Sequence, residues 1–273
     1  HIREVDAICQ VVRAFDDDNV THVSGRVDPV DDIEVINMEL VLADLESVEK
    51  RLPKAEKMAK QKDKDAVNEA RILARIKEAL EEGNPVRSLE FNDEDQKFVN
   101  QAQLLTSKEM LYIANVGEDE IGDEDNEKVK LIREYASKED SEVIVISAKI
   151  EEEIATLEDE DREMFLEDLG IEEPGLDRLI RTTYDLLGLA TYFTAGVQEV
   201  RAWTFISGMT APQCAGIIHT DFERGFIRAE VTSYDDYVEF NGENGAKDAG
   251  KQRLEGKEYI MKDGDVVHFR FNV

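Results

Sequence analysis

The chain has 273 residues, 41% hydrophobic and 35% charged, and carries a formal charge of −30 from 63 acidic against 33 basic residues. That length accommodates two or three units with sizeable cores. So acidic a chain repels phosphate backbones on average, which disfavours simple electrostatic binding to nucleic acid, requires a local patch for any RNA contact, and leaves solubility, or docking onto basic protein surfaces, as the use of the charge.

The two cysteines, Cys9 and Cys214, have no near neighbour of the kind a metal knuckle or redox pair needs, which points to a reducing, cytoplasmic setting. No run reaches the roughly 18 apolar residues needed to span a bilayer, and no charged-then-apolar leader opens the chain, so no membrane partner is expected. The first residue is His1 rather than Met, and residues are expected upstream of it.

Ile2 to Glu4 read as the end of a helix, and the apolar run from Ala7 to Phe15 reads as a buried strand. Pro29 and the acidic pair Asp31 and Asp32 announce a long helix starting near Asp31. Within it Met38, Val41, Leu45, Val48, Leu52, Ala55 and Ala59 alternate spacings of three and four, a coiled-coil seam interrupted at Pro53, which should kink the helix or remove one backbone hydrogen bond. A second helix is predicted from about Asp65 to Glu82 and ends at Gly83-Asn84-Pro85, with the charged stretch 60–64 as the tip of an antiparallel hairpin. Such a pair needs no further core and reads either as a projecting, partner-binding arm or as a solvated helix pair.

After Asn92 a shorter helix leads to the apolar strand Met110 to Ala114, then a helix from Asn126 to Tyr135 and a second strand, Val143 to Ile146. Strands alternating with helices predict a parallel α/β sheet whose ligands sit at the carboxyl ends of the strands. From Leu189 onward short strands (202–205, 225–231, 266–271), Gly and Asn turns, and helices at 212–219 and 234–240 predict a small mixed β module.

Asn115-Val116-Gly117-Glu118 follows the first of the central strands directly, and Ser147-Ala148-Lys149 follows the second. Both positions match base-recognition loops of the GTPase class, in which an Asn-Lys-x-Asp carboxylate accepts two hydrogen bonds from guanine and a Ser-Ala-Lys loop offers backbone donors to the other edge of the base. Here the Lys position is Val116 and the Asp position is Glu118. A carboxylate fixed to meet guanine's two donors would be left unpaired against adenine at a cost of roughly 1–3 kcal/mol; a displaced Glu118 removes that penalty.

Five longer runs resemble the YchF-type Obg-like ATPases of the GTPase class: His1 to Ile8, Val27 to Glu34, Gly208 to Pro212, His219 to Val231, and Asp263 to Val273. The resemblance implies an α/β fold: a P-loop-type parallel-sheet nucleotide-binding domain at 1–30 and 91–188, interrupted by a coiled-coil arm at 31–90 and followed by a TGS module of β-grasp fold at 189–273. It also implies hydrolysis of ATP in preference to GTP, Mg²⁺ dependence, ribosome association, and a cytoplasmic protein that is expected to be monomeric. Asn115, Val116 and Glu118 would frame the adenine, with Ser147, Ala148 and Lys149 opposite. The phosphate loop, switch threonine, metal ligands and catalytic group would lie before His1. No G-x-x-x-x-G-K-[ST] occurs in this sequence, so the chain alone is expected to be inactive, with no metal site of its own. The alternative is a non-catalytic adaptor that binds ribosome or RNA through the arm and the TGS module.

His219 and His268 lack a third ligand at metal spacing, and the acidic runs Glu151 to Glu153 and Glu158 to Asp161 read as solvated faces. Phe222, Arg224, Phe226 and Arg228 read as one strand with its aromatics in the core, leaving Arg224 and Arg228 as candidate ribosome or RNA contacts.

Overall fold

The computed structural model describes residues 2–16, 27–61, 63–122 and 126–272. His1, Val273 and residue 62 of the expected hairpin tip fall outside them. The chain divides into two compact units, 1–183 and 184–273.

A 3-10 turn at Ile2–Glu4 opens the first unit, where a helix end was expected. The unit is built on a three-stranded parallel sheet of β1 (Ala7–Arg13), β2 (Glu109–Asn115) and β3 (Glu142–Ile146), in that spatial order. β2 is central and buried along nearly its whole length, which explains its unbroken apolar sequence. Parallel neighbours need crossovers, and the one between β1 and β2 is long enough to hold the arm. β1 ends at Arg13, two residues short of the expected Phe15, and its register sets Arg13 level with Asn115. In turn Asn115 lies level with Ile146, so all three strands end together.

The arm comprises α1 (Pro29–Ala59) and α2 (Lys64–Glu81). Asp28 caps α1 by accepting from the Asp31 N–H, and Pro29 occupies the first turn, where its missing N–H costs nothing. The helix continues through Pro53, which therefore removes one hydrogen bond without ending it. Val41, Val48 and Ala55 bury against Ile72, Leu73, Ile76 and Leu80 of α2, with Leu45 and Leu52 partly buried beside them. Met38, predicted in the seam, is 46% exposed. Its departure coincides with a buried charge: Asp44, absent from the predicted seam, is fully enclosed at 0% exposure.

Asp44 roots the arm. Leu105 N–H donates to its Oδ1 (2.9 Å), Thr106 N–H (2.7 Å) and hydroxyl (2.9 Å) donate to Oδ2, and the Arg3 guanidinium donates to Oδ1 (2.9 Å). Four donors on one carboxylate compensate its loss of water. The segment beneath it follows α3 (Asp93–Gln101) and includes the 3-10 turn Leu105–Ser107. Next along the chain, α4 (Glu127–Ser137) covers the sheet with Val129, Ile132 and Ala136. Three further helices, α5 (Ala148–Ile154), α6 (Asp159–Asp168) and α7 (Gly175–Leu186), complete the unit, and the division between units falls inside α7.

The second unit is a mixed five-stranded sheet in the order β5-β4-β8-β6-β7, formed by β4 (Leu189–Ala195), β5 (Val200–Ile206), β6 (Phe226–Ser233), β7 (Arg253–Glu255) and β8 (Asp265–Phe271). Ala211, Cys214 and Ala215 of α8 (Ala211–Ile218) cross one face over Tyr192, Phe205, Phe226, Val231 and Phe269, an arrangement that matches the β-grasp expectation. Burial pushes the Cys214 thiol up to about 12, so it packs as an apolar group. Two short helices, α10 (Tyr234–Glu239) and α11 (Glu243–Asp248), follow β6.

The reading of 222–228 as one strand is corrected. Phe222 and Arg224 lie on the short helix α9 (Thr220–Arg224), and β6 begins at Phe226 with an irregular register between Phe226 and Arg228. Positions two apart on a regular strand share a face, so aromatic and basic residues alternating at that interval cannot be divided between core and surface; the helix and the bulge divide them instead. Phe222 stacks on Phe271 at 3.8 Å between ring centroids, and Phe226 is buried. Gly225 between the two elements is obligatory, because a Cβ there would stand 2.2 Å from the Asn272 carbonyl oxygen.

Asp44→Ala is expected to destabilise the first unit by about 3–5 kcal/mol, because it leaves two backbone donors and a hydroxyl without their buried acceptor. Asp44→Asn, which keeps one acceptor oxygen, is expected to cost less; a urea midpoint series checks the order. In the second unit the Arg270 guanidinium donates to both oxygens of Glu230 (3.1 and 3.0 Å) and holds its carboxyl below the usual range. A depressed folded pKa stabilises above the ordinary carboxylate value of about 4.3 and is lost as pH falls through the lowered one. Glu230→Gln is therefore expected to cost about 0.5–1 kcal/mol near pH 7 and progressively less as pH falls below the ordinary carboxylate range, read from thermal melts across that range.

Candidate nucleotide-base site

The coincident strand ends create the site. Ala14 N–H donates to the Asn115 carbonyl (2.8 Å), Val116 N–H donates to the Ile146 carbonyl (2.9 Å), and the Asn115 side-chain Oδ1 accepts from Ala148 N–H (2.9 Å). Asn115 thus ties the loop after β2 to the loop after β3 through a side chain as well as through the sheet. Val116 is buried at 2% exposure and belongs to the core beneath the loop, whereas the polar residues on either side of it are more open. The Ala148 amide, one of the backbone donors expected for a base, is committed to Asn115.

Glu118 begins a 3-10 turn, Glu118–Glu120, and the Glu120 carboxylate accepts from Gly117 N–H (3.0 Å), which fixes the turn. The Glu118 carboxylate forms an ion pair with the Lys149 ammonium of the opposite loop. The hydrogen bond and charge of Glu118 raise the Lys149 pKa, with Glu153 and Asp119 adding to the negative field, so Lys149 stays cationic. Glu118 and Lys149 therefore meet each other at the place that the sequence assigns to a base. Ser147 is buried at 1% exposure, and its hydroxyl has no hydrogen-bond partner among the described residues. A buried hydroxyl left unpaired costs about 1–3 kcal/mol and calls for an explanation. The unpaired hydroxyl leaves the loop after β3 with one free polar group for a ligand, as a nucleotide-binding loop would need.

Glu151 is more than part of a solvated acidic face. Its carboxylate accepts from Gly175 N–H (2.7 Å) and Leu176 N–H (3.1 Å), satisfying orphan donors at the start of α7 where a negative charge also meets the helix dipole. Gly175 permits this approach, since a Cβ there would lie 2.6 Å from Ile146 Cγ2 and 2.8 Å from Glu151 Oε1. Glu151 thereby holds the loop after β3 from behind. Nothing in the local sequence signals it, because acceptor and donors stand 24 residues apart.

Elsewhere, Arg224 is exposed and makes no hydrogen bond or ion pair with a described residue, and Arg228 is exposed with Glu230 3.8 Å away. His219 and His268 are both at the surface. Among the described residues no group of three or more His, Cys, Asp or Glu side chains is placed to hold a metal ion. No helix of the described residues is long and apolar enough to cross a membrane.

The family model YchF-GTPase_C, described as a protein of unknown function (DUF933), matches residues 189–272. The chain is 67% identical over 274 residues to the "Ribosome-binding ATPase YchF" of Bacillus subtilis and 55% identical over 273 residues to that of Haemophilus influenzae; in both cases all of this chain aligns with 75% of the relative's length. Among solved structures, that of the Schizosaccharomyces pombe YchF GTPase superposes with a TM-score of 0.84 at 35% identity, over 98% of this chain and 73% of that one. The chain belongs to the YchF family.

Proposed function

We propose that the protein containing this chain is a cytoplasmic, ribosome-associated nucleotide hydrolase that prefers ATP to GTP and works as a monomer. In this reading residues 1–30 and 91–188 form the nucleotide-binding domain, 31–90 the inserted arm, and 189–273 the TGS module. The relatives' names support hydrolysis and a ribosomal partner, the bacterial ones naming an ATPase and the fission-yeast structure a GTPase.

The observation that carries the ATP preference is the Glu118–Lys149 ion pair. Guanine binding needs a free carboxylate to accept from its ring N–H and exocyclic amine. Here that carboxylate already has a cationic partner and stands one methylene further from the backbone than an aspartate would. Adenine, which offers neither donor on that edge, leaves this partly exposed pair undisturbed, so neither charge loses its partner. Asn115 positions the two loops, Val116 supports them from the core, and Ser147 and Ala148 close the opposite side. The sequence contains no G-x-x-x-x-G-K-[ST] loop, which supports the reading that this chain alone does not hydrolyse nucleotide. Mg²⁺ and its ligands then belong to the residues that bind the phosphates. Arg224 and Arg228 are the proposed ribosome or RNA contacts of the TGS module.

Calorimetry on the chain extended upstream by its own coding sequence tests the preference: ATP is expected to bind at least about ten-fold tighter than GTP, some 1.4 kcal/mol, and equal affinities would contradict it. Glu118→Asp, which draws the carboxylate back by one methylene and leaves Val116 in the core, is expected to raise GTP affinity by up to about ten-fold relative to ATP. Hydrolysis by the extended protein, with and without ribosomes, separates this reading from a non-catalytic adaptor, which would bind ribosomes and turn over no ATP.

A further inference from the structure

At the root of the arm, away from the loops after β2 and β3, lies a cleft of about 240 Å³ between α1, the end of α2 and α4. Its walls are of two kinds. Met38 and Pro85 offer apolar surface, and Met38 has left the helix seam to do so, standing 46% exposed. Facing them are two carboxylates, Glu34 and Glu139, with the Tyr135 phenol alongside. Arg87 donates to Glu139 Oε2 at 2.9 Å, and Tyr112 donates to the same oxygen at 3.0 Å. Glu34, an exposed residue, takes no hydrogen bond or ion pair from any described residue. One cation against two anions leaves the cleft one negative charge in excess.

The surplus is felt by the wall itself. Burial pushes the Tyr135 phenol up, and the carboxylates of Glu139 and Glu34 push it the same way. Asn37 donates to the hydroxyls of Tyr112 and Tyr135, both at 3.2 Å, while its own carbonyl Oδ1 accepts from nothing. Acceptors and negative charge thus exceed donors around a cavity whose remaining wall is apolar.

We propose that this cleft binds an organic cation with an apolar stem, an alkylguanidinium or alkylammonium group whose head sits between Glu34 and Glu139 and whose stem lies along Met38 and Pro85. A charged head paired with carboxylates while its methylenes cover apolar surface is how lysine and arginine side chains are commonly seated. Two sources have this chemistry, a free amine and a basic side chain of a partner protein, and the strongly acidic chain attracts both.

The test is an NMR titration of the chain with n-butylguanidinium, with its uncharged analogue n-butylurea, and with a Gly/Ser peptide carrying one arginine, following the Met38 methyl and the Tyr135 ring. Saturable shifts at both positions are expected with the two cations and none with the urea. Glu34→Gln, at an exposed residue with no contact to lose, is expected to weaken cation binding by about five-fold, and Met38→Trp, which fills the cleft, to abolish it with the fold retained. Tighter binding of the peptide than of the free cation assigns the site to a protein side chain, and the reverse to a free amine; either supports the ligand class. Equal shifts with the urea, or shifts scattered over the acidic surface and insensitive to Glu34→Gln, would overturn it.

Discussion

Asn115 is held from two sides: its carbonyl accepts from Ala14 N–H and its side chain from Ala148 N–H. The first bond belongs to the sheet and any residue could make it. The second needs a short side chain with an acceptor oxygen that reaches one strand across, and it locks the two loops into one concave edge. That bond acts beside two other ties between the loops, the Val116 N–H on the Ile146 carbonyl and the Glu118–Lys149 ion pair, with Val116 supporting them from the core and Glu151 from behind at the start of α7.

The same economy recurs at the root of the arm. Asp44 stands midway along α1, and its carboxylate collects donors from Arg3, Leu105 and Thr106. The rest of the helix runs roughly 22 Å beyond it at about 1.5 Å per residue, so a small tilt at Asp44 moves the far end by ångströms. Tyr112 of β2, three residues before Asn115, takes a hydrogen bond from Asn37 of α1. The strand that ends at the base loop and the helix that begins the arm are thus joined at Asn37 and Tyr112, while Asp44 holds the turn that leads into the strand. A disturbance at one has a contiguous path to the other through groups whose hydrogen bonds are buried or partly buried.

Much of this was legible in the sequence, for definite reasons. The apolar run of β2, the spacing of Val41, Val48 and Ala55 against the Ile72 to Leu80 face, and the strand-end position of Asn115 and Ser147 are periodic or local signals, and the structure carries each of them. Family resemblance supplied the β-grasp end, which short alternating strands alone do not specify. What stayed hidden was long-range. Asp44 looks like any exposed helix acid until residues 105 and 106 arrive from 61 and 62 positions further along the chain, and Glu151 is lost in an acidic run until α7 places two N–H groups against it. At Phe222 and Arg224 the two-residue alternation predicts a strand, whereas Gly225, forced by the Asn272 carbonyl, separates a helix from a bulged strand.

The central claim is that the residues after β2 and β3 close on one purine ring. Amide NMR spectra of the upstream-extended protein, recorded as ATP is added, address it most directly. The account predicts that the base moiety shifts 115–118 and 147–149 together, in one saturable step, with those shifts absent when inorganic triphosphate replaces ATP. Shifts in only one of the two loops, or the same pattern with triphosphate alone, would contradict it.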